Sequence, residues 1–192
     1  MSQRILFLHG LASSGKFKMS DQLRILLKPC EVVSPDIPPQ PWEALPFLQE
    51  LCAECRPDII VGHSLGAFLA RWLKGYRKAL VNPTFRVSPL LRYNFGEMKY
   101  LSPRADGAES FIIDERLCKA YEELEAVQFD GLTQEERDLT IAFFAENDEL
   151  VRHGRVFELE YGKKGISYPG MHNPVFPEMK QYIVPAIKEF LR

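Results

Sequence analysis

The sequence predicts an α/β protein: a roughly six-stranded, mainly parallel sheet with helices on both faces. Three observations predict it. Short apolar runs alternate with longer amphipathic stretches along almost the whole chain, with no internal repeat and no low-complexity tract. One of those runs, Asp58–Val61, passes directly into a Gly-x-Ser-x-Gly turn and then into an apolar helical pattern. And 192 residues at 46% hydrophobic content suffice for one domain with a substantial core.

Taken in order, Arg4–Leu8 reads as a buried strand, and Ser20–Leu27 as a helix with Leu23, Leu26 and Leu27 on one face. Glu31–Ser34 is a second strand, ending in the rigid loop Pro35 to Pro41. Trp42–Cys55 is a second helix, Pro57 punctuates, and Asp58–Val61 is the third strand. Ala67–Lys74 continues the turn as a helix. Ala79–Val81 is a fourth strand, stopped by Asn82-Pro83. Thr140–Ala145 is a fifth strand, Gly154–Tyr161 a helix, Gly165–Tyr168 a sixth strand, and Phe176–Leu191 a closing helix kinked at Pro185. Thr84–Asp138 breaks the rhythm. It is too long for a simple crossover, holds a helix over Asp114–Gln128, and carries the exposed-looking aromatics Phe85, Tyr93, Phe95 and Tyr100. Residues 1–192 therefore form a single domain in which 84–138 is a cap or pocket-lining insertion, or else a surface excursion with a small core of its own.

The chemistry is concentrated at Gly62-His63-Ser64-Leu65-Gly66. A strand that becomes a helix this abruptly puts Ser64 on a strained backbone at the tip of the turn. Gly62 avoids the incoming helix, and Gly66 lets helix and strand approach. The amide of Leu65 then lies at the electropositive start of the helix. A serine hydroxyl needs a base, and the base needs an orienting acid. Asp148 follows the fifth strand and His172 the sixth, so both fall on the same sheet edge as Ser64, in the order serine, acid, histidine. Glu146 and Glu149 are competing acids, whereas Asp138 precedes its strand and lies at the wrong edge. Of the other histidines, His63 should point away from Ser64, and His153 reads as a solvated residue at a helix start. His9 opens a loop whose next residue but one, Leu11, can pair its backbone N–H with that of Leu65 as an oxyanion hole. This chemistry calls for no metal or organic cofactor.

Composition excludes other classes. A net charge of −2 and a pI near 6.1 leave no electrostatic footprint for nucleic acid. No apolar run has the length of a membrane span, and Ile5–Leu8 is too short for a signal peptide, which points to the cytoplasm. Cys30, Cys52, Cys55 and Cys118 fit that compartment as free thiols. Cys52 and Cys55 form a C-x-x-C late in a helix, away from the N-terminal position that activates such pairs, and no second pair of zinc ligands is visible. Two rivals to the reading of Ser64 as a nucleophile remain. Gly10 to Lys16 matches a phosphate-binding loop except at Phe17, where the magnesium-binding hydroxyl is missing. A non-catalytic binding module on the same fold is the other.

Phe7-Leu8-His9-Gly10 with Ser13-Ser14, then Pro38-Pro39, Gly62-His63-Ser64-Leu65-Gly66, Val81-Asn82-Pro83, Asp148-Glu149 and His172 resemble the small bacterial YqiA-type esterases of the α/β-hydrolase superfamily. The resemblance spans nearly the whole chain. It implies a reduced α/β-hydrolase fold lacking the superfamily's first two strands, and hydrolysis of a small-molecule carboxylic ester or acyl thioester with Ser64, Asp148 and His172 as triad. Arg104 to Glu109 and the helix at Asp114–Gln128 depart from the family pattern, so substrate identity and oligomeric state stay open.

Overall fold

A computed structural model describes residues 2–192. Six parallel strands form one sheet: β1 (Arg4–Leu8), β2 (Glu31–Val33), β3 (Ile59–His63), β4 (Arg77–Val81), β7 (Thr140–Ala145) and β8 (Ile166–Tyr168), in the order β2-β1-β3-β4-β7-β8. Neighbours are held in register by pairs such as Leu6↔Ile60, Val61↔Ala79 and Leu80↔Ala142. The inner strands are covered on both faces, and their sequences are accordingly near-continuous apolar runs. The edge strand β2 is short and only half-buried.

Alternation along each strand sends side chains to two cores. Ile5, Phe7, Val61, Val81 and Phe143 face helix α1 (Lys18–Leu26) and the C-terminal helical segment. Leu6, Leu8, Ile60 and Leu80 face α2 (Pro41–Cys55) and α3 (Leu65–Ala70). Helices thus cover both faces, as expected. Beyond α7 (Gly154–Tyr161), the C-terminal segment is α8 (Phe176–Glu178), a π-helical turn (Met179–Ile183) and α9 (Val184–Phe190). The kink expected at Pro185 takes the form of that turn. Proline has no N–H to donate, and the preceding amide, Val184, reaches five residues back to the Met179 carbonyl.

Residues 84–138 contain more structure than periodicity shows. Besides α5 (Glu115–Val127), there are α4 (Ser88–Tyr93), α6 (Gln134–Asp138) and an antiparallel hairpin of β5 (Gly96–Lys99) and β6 (Ser110–Ile113). Phe111, Ile113, Leu117 and Tyr121 join the same apolar cluster as Ala44, Leu48 and Phe68, so the segment has no separate core. Phe85 is buried rather than exposed, stacked on His153 and packed at a tilt against Phe129, while Tyr93 and Phe95 do face solvent and Tyr100 is half-buried. Arg71, just past α3, clasps the end of α5 by donating to the Gln128 side chain and carbonyl, each at 2.6 Å, with its guanidinium over the Phe85 and Phe129 rings. A buried ion pair, Lys78–Glu136 at 2.8 Å, fastens α6 to β4. Among the described residues, no helix is long and apolar enough to cross a membrane.

Candidate active site

Ser64 sits between β3 and α3 with φ 54° and ψ −115°, a conformation rarely adopted by a residue with a side chain. Close packing enforces the turn. A Cβ on Gly62 would lie 2.6 Å from the Ala67 Cα, and one on Gly66 would lie 2.1 Å from the Leu8 carbonyl oxygen. Both glycines are required, for the reasons the motif suggests. The Ser64 carbonyl accepts from the Ala67 and Phe68 amides, but its hydroxyl does not cap the helix. The side chain is therefore presented instead of being spent on its own backbone.

The acid and the histidine meet. Asp148, in the loop after β7, accepts on Oδ2 from His172 Nδ1–H at 2.8 Å, with both side chains buried. Its Oδ1 accepts from the Leu150 and Val151 amides at 2.8 and 2.7 Å. Burial alone would push the Asp148 carboxyl up. The bonds from His172 and the two amides outweigh it and hold the group below the usual carboxylate range. With Nδ1–H donating to the carboxylate, the acceptor lone pair of the His172 ring lies on Nε2. The competing acids are placed differently: Glu146 is exposed beside Ser167, and Glu149 accepts from the His172 backbone N–H at 3.3 Å.

The other histidines are structural partners. His63 turns its Nε2–H to the His172 carbonyl at 2.9 Å, stacks on Phe17 and lies tilted against the His172 ring, centroids 5.0 Å apart. Burial pushes it down to about 4, aided by the nearby His172, so it stays neutral. His153 is not a solvated helix start: it is half-buried, accepts from the Phe85 amide on Nδ1 at 2.9 Å, and is pushed down by burial. Sequence periodicity could not show that, because Phe85 lies 68 residues away. His9 donates from Nδ1 to the Gly10 carbonyl at 2.8 Å and accepts on Nε2 from the Ile37 amide at 3.0 Å. The Gly10 carbonyl also accepts from Ser13, so the trans peptide turns the Leu11 N–H the opposite way. Leu65 is the first residue of α3, where helix amides lack intrahelical partners.

The first loop is not arranged as a phosphate cradle. The amides of Gly15, Lys16 and Phe17 are already engaged by the Asp36 carboxylate, the Ser14 hydroxyl and the Ser14 carbonyl. A carboxylate bonded at the loop's second glycine opposes a phosphate there. The C-x-x-C pair is equally quiet: burial pushes Cys52 up to about 12 and raises Cys55, the reverse of a reactive thiol.

A parallel sheet, a strained serine at the strand-to-helix turn after β3, and an acid–histidine pair on the loops after β7 and β8 define the α/β-hydrolase architecture. The chain belongs to the Alpha/beta hydrolase family, whose sequence profile matches residues 5–173. No curated protein sequence matches it. Among solved structures it is similar to one from work on LipS and LipT, two metagenome-derived lipolytic enzymes (TM-score 0.68, 16% identity, covering 100% of this chain and 94% of that one). A methylesterase from Arabidopsis gives a TM-score of 0.64 at 12% identity, over 97% of this chain and 99% of that one. A pyrethroid hydrolase from Sphingobium faniae JZ-2 gives 0.62 at 17%, over 100% and 98%. At these identities the likeness is one of fold.

Proposed function

We propose that the protein is a serine hydrolase that cleaves a short-chain carboxylic ester or acyl thioester through an acyl-enzyme. The observation that carries the reading is the buried His172–Asp148 bond, 2.8 Å, on the sheet edge where Ser64 occupies the elbow. Ser64 Oγ attacks the acyl carbon while His172 Nε2 takes its proton. The amides of Leu11 and Leu65 hold the oxyanion, and His172 returns the proton to the departing alcohol or thiol. Water, activated by the same nitrogen, then releases the acid and restores Ser64. Asp148 orients the ring and stabilises its protonated form. Residues 84–138 act as a cap, and four unpaired cysteines suit the cytoplasm. The resemblance to YqiA-type esterases supports the same activity.

The space around the two amides supports a small acyl group. A slot lined by Leu11, Leu65, Leu69, Ile37 and Tyr100 encloses about 10 Å³, room for about one water-sized group. Through Pro38, Pro39 and Tyr100 it adjoins an open groove of about 610 Å³. Trp42 under Arg116 and Tyr100 under Arg104 give that groove a polar, aromatic wall suited to the larger leaving group.

A fluorophosphonate probe tests the proposal. It should label the wild type and leave Ser64→Ala unlabelled, and that variant should lose about three to six orders of magnitude of ester turnover while keeping its fold. A folded wild type that neither labels nor hydrolyses p-nitrophenyl acetate would instead be a binding module.

A further inference from the structure

The serine, acid and histidine stand on three separate strand ends, and something must fix the last two against each other. Asn82 is placed to do so. It follows the last residue of β4 with φ 44°, a left-handed conformation that asparagine tolerates better than most residues, and it is buried. From there its side chain reaches across the end of β7 to β8 and the loop beyond. Oδ1 accepts at 2.8 Å from the amide of Ala145, the last residue of β7, just before the loop that carries Asp148. Only an oxygen can accept from that N–H, so the amide orientation is fixed. Nδ2 is thereby aimed at the His172 carbonyl and the Tyr168 hydroxyl, both at 2.8 Å, with the Met171 carbonyl at 3.3 Å. The His172 carbonyl receives a second donor, His63 Nε2–H at 2.9 Å, from the residue preceding Ser64.

We infer that Asn82, together with His63, is a positioning residue: it locks the histidine loop to the acid loop through the His172 carbonyl and the Ala145 amide. One side chain spans three strand ends and contacts neither the imidazole nor the carboxylate. It therefore acts through backbone, and its effect falls on the geometry of the His172–Asp148 pair rather than on substrate binding. Asparagine is the residue the position demands. Aspartate would keep the bond to Ala145 but turn a second oxygen onto two carbonyls and a phenol, and glycine would keep the backbone conformation but none of the bonds.

The kinetic arm of the test rests on the hydrolase reading; the spectroscopic arm does not. Asn82→Gly, Asn82→Asp and His63→Phe are compared with wild type for melting temperature, kcat and KM on p-nitrophenyl acetate, and the downfield proton resonance of His172 Nδ1–H. For folded Asn82 variants, kcat should drop about a hundredfold with KM within about threefold, the signature of misplacement without lost binding. The resonance should move upfield or broaden away. His63→Phe keeps a ring between Phe17 and His172 and removes only the second donor, so a smaller displacement of the same signal is expected. Asn82 variants that keep the wild-type resonance and kcat overturn the inference. If they do not fold, an unmoved resonance in folded His63→Phe overturns it. A wild type without esterase activity, but with a resonance displaced in these variants, would sink the hydrolase reading and leave the positioning role standing.

Discussion

Nδ1 of His9 donates to the carbonyl of the next residue, Gly10, across 2.8 Å, and this contact sets the direction of the following peptide. Because Nε2 of the same ring accepts from Ile37, the imidazole also ties the proline loop to the start of the loop that carries the Leu11 amide. Removing the ring should let the Gly10–Leu11 peptide rotate and withdraw its N–H. We expect His9→Ala to lower kcat for a short ester about ten- to a hundredfold, approaching the loss of one oxyanion donor. Wild-type kcat in a folded His9→Ala would show that the peptide is held by its surroundings alone.

The three acids after β7 make a graded comparison. Asp148→Asn reverses the hydrogen-bond preference at His172 Nδ1 and should cost about four orders of magnitude in kcat. Glu149→Gln disturbs only a 3.3 Å contact to a backbone amide, and Glu146→Gln an exposed one. Both should stay within about tenfold of wild type, an effect of roughly 1.4 kcal/mol. Equal losses at Glu146 and Asp148 would reassign the acid.

What was legible in the sequence is what close packing and alternation impose. Gly62 and Gly66 announce the elbow because nothing larger fits beside Ala67 and Leu8, and the strand–helix rhythm puts Asp148 and His172 on one edge. The missed parts depend on partners far away in the chain. β5, Gly96 to Lys99, has no β-branched residue and is a strand only because Ser110–Ile113 pairs with it. Phe85 looks exposed among polar neighbours until Arg71, Phe129 and His153 close over it. Asn82 reads as a turn signal; its bonds to Ala145, Tyr168 and His172 span 63 to 90 residues, beyond any local pattern. The segment Arg104 to Glu109 matched no family pattern, and Arg104 now stands in the groove wall, held by Asp106 and the Ile37 carbonyl.

Two buried histidines give stability a definite pH dependence. His9 and His63 are each pushed by burial from 6.5 down to about 4. Between those values the unfolded chain binds protons that the native state refuses, so stability is complete above about pH 6.5 and falls as pH drops toward 4. Asp148, held low, adds a further loss only at more acid pH. Urea unfolding should show a stability about 2 kcal/mol lower at pH 5 than at pH 6, as roughly two protons are taken up on unfolding. His9→Asn with His63→Gln should flatten that slope. A wild-type stability unchanged from pH 7 to pH 5 would mean that both rings take up protons in the native state as readily as in the unfolded chain.

The slot beside the oxyanion amides decides acyl length if the ester binds as proposed. At about 10 Å³ it holds little more than a methyl group, and Leu69, buried on α3, forms part of its wall. Each methylene that does not fit forfeits its contacts or forces the wall apart, at about 1–3 kcal/mol. We therefore expect kcat/KM for p-nitrophenyl acetate to exceed that for the hexanoate by at least about a hundredfold. Leu69→Ala removes three carbons, an isopropyl group, from the wall, at a stability cost of about 2–5 kcal/mol, so rates must be read well below its melting temperature. Enlargement should raise the hexanoate-to-acetate ratio by at least about tenfold, because only the longer chain gains from the new volume. A wild type that prefers hexanoate would place the acyl chain in the open groove instead. A wild type that prefers acetate, with a ratio unmoved in Leu69→Ala, would show that the selectivity is set elsewhere than at this wall.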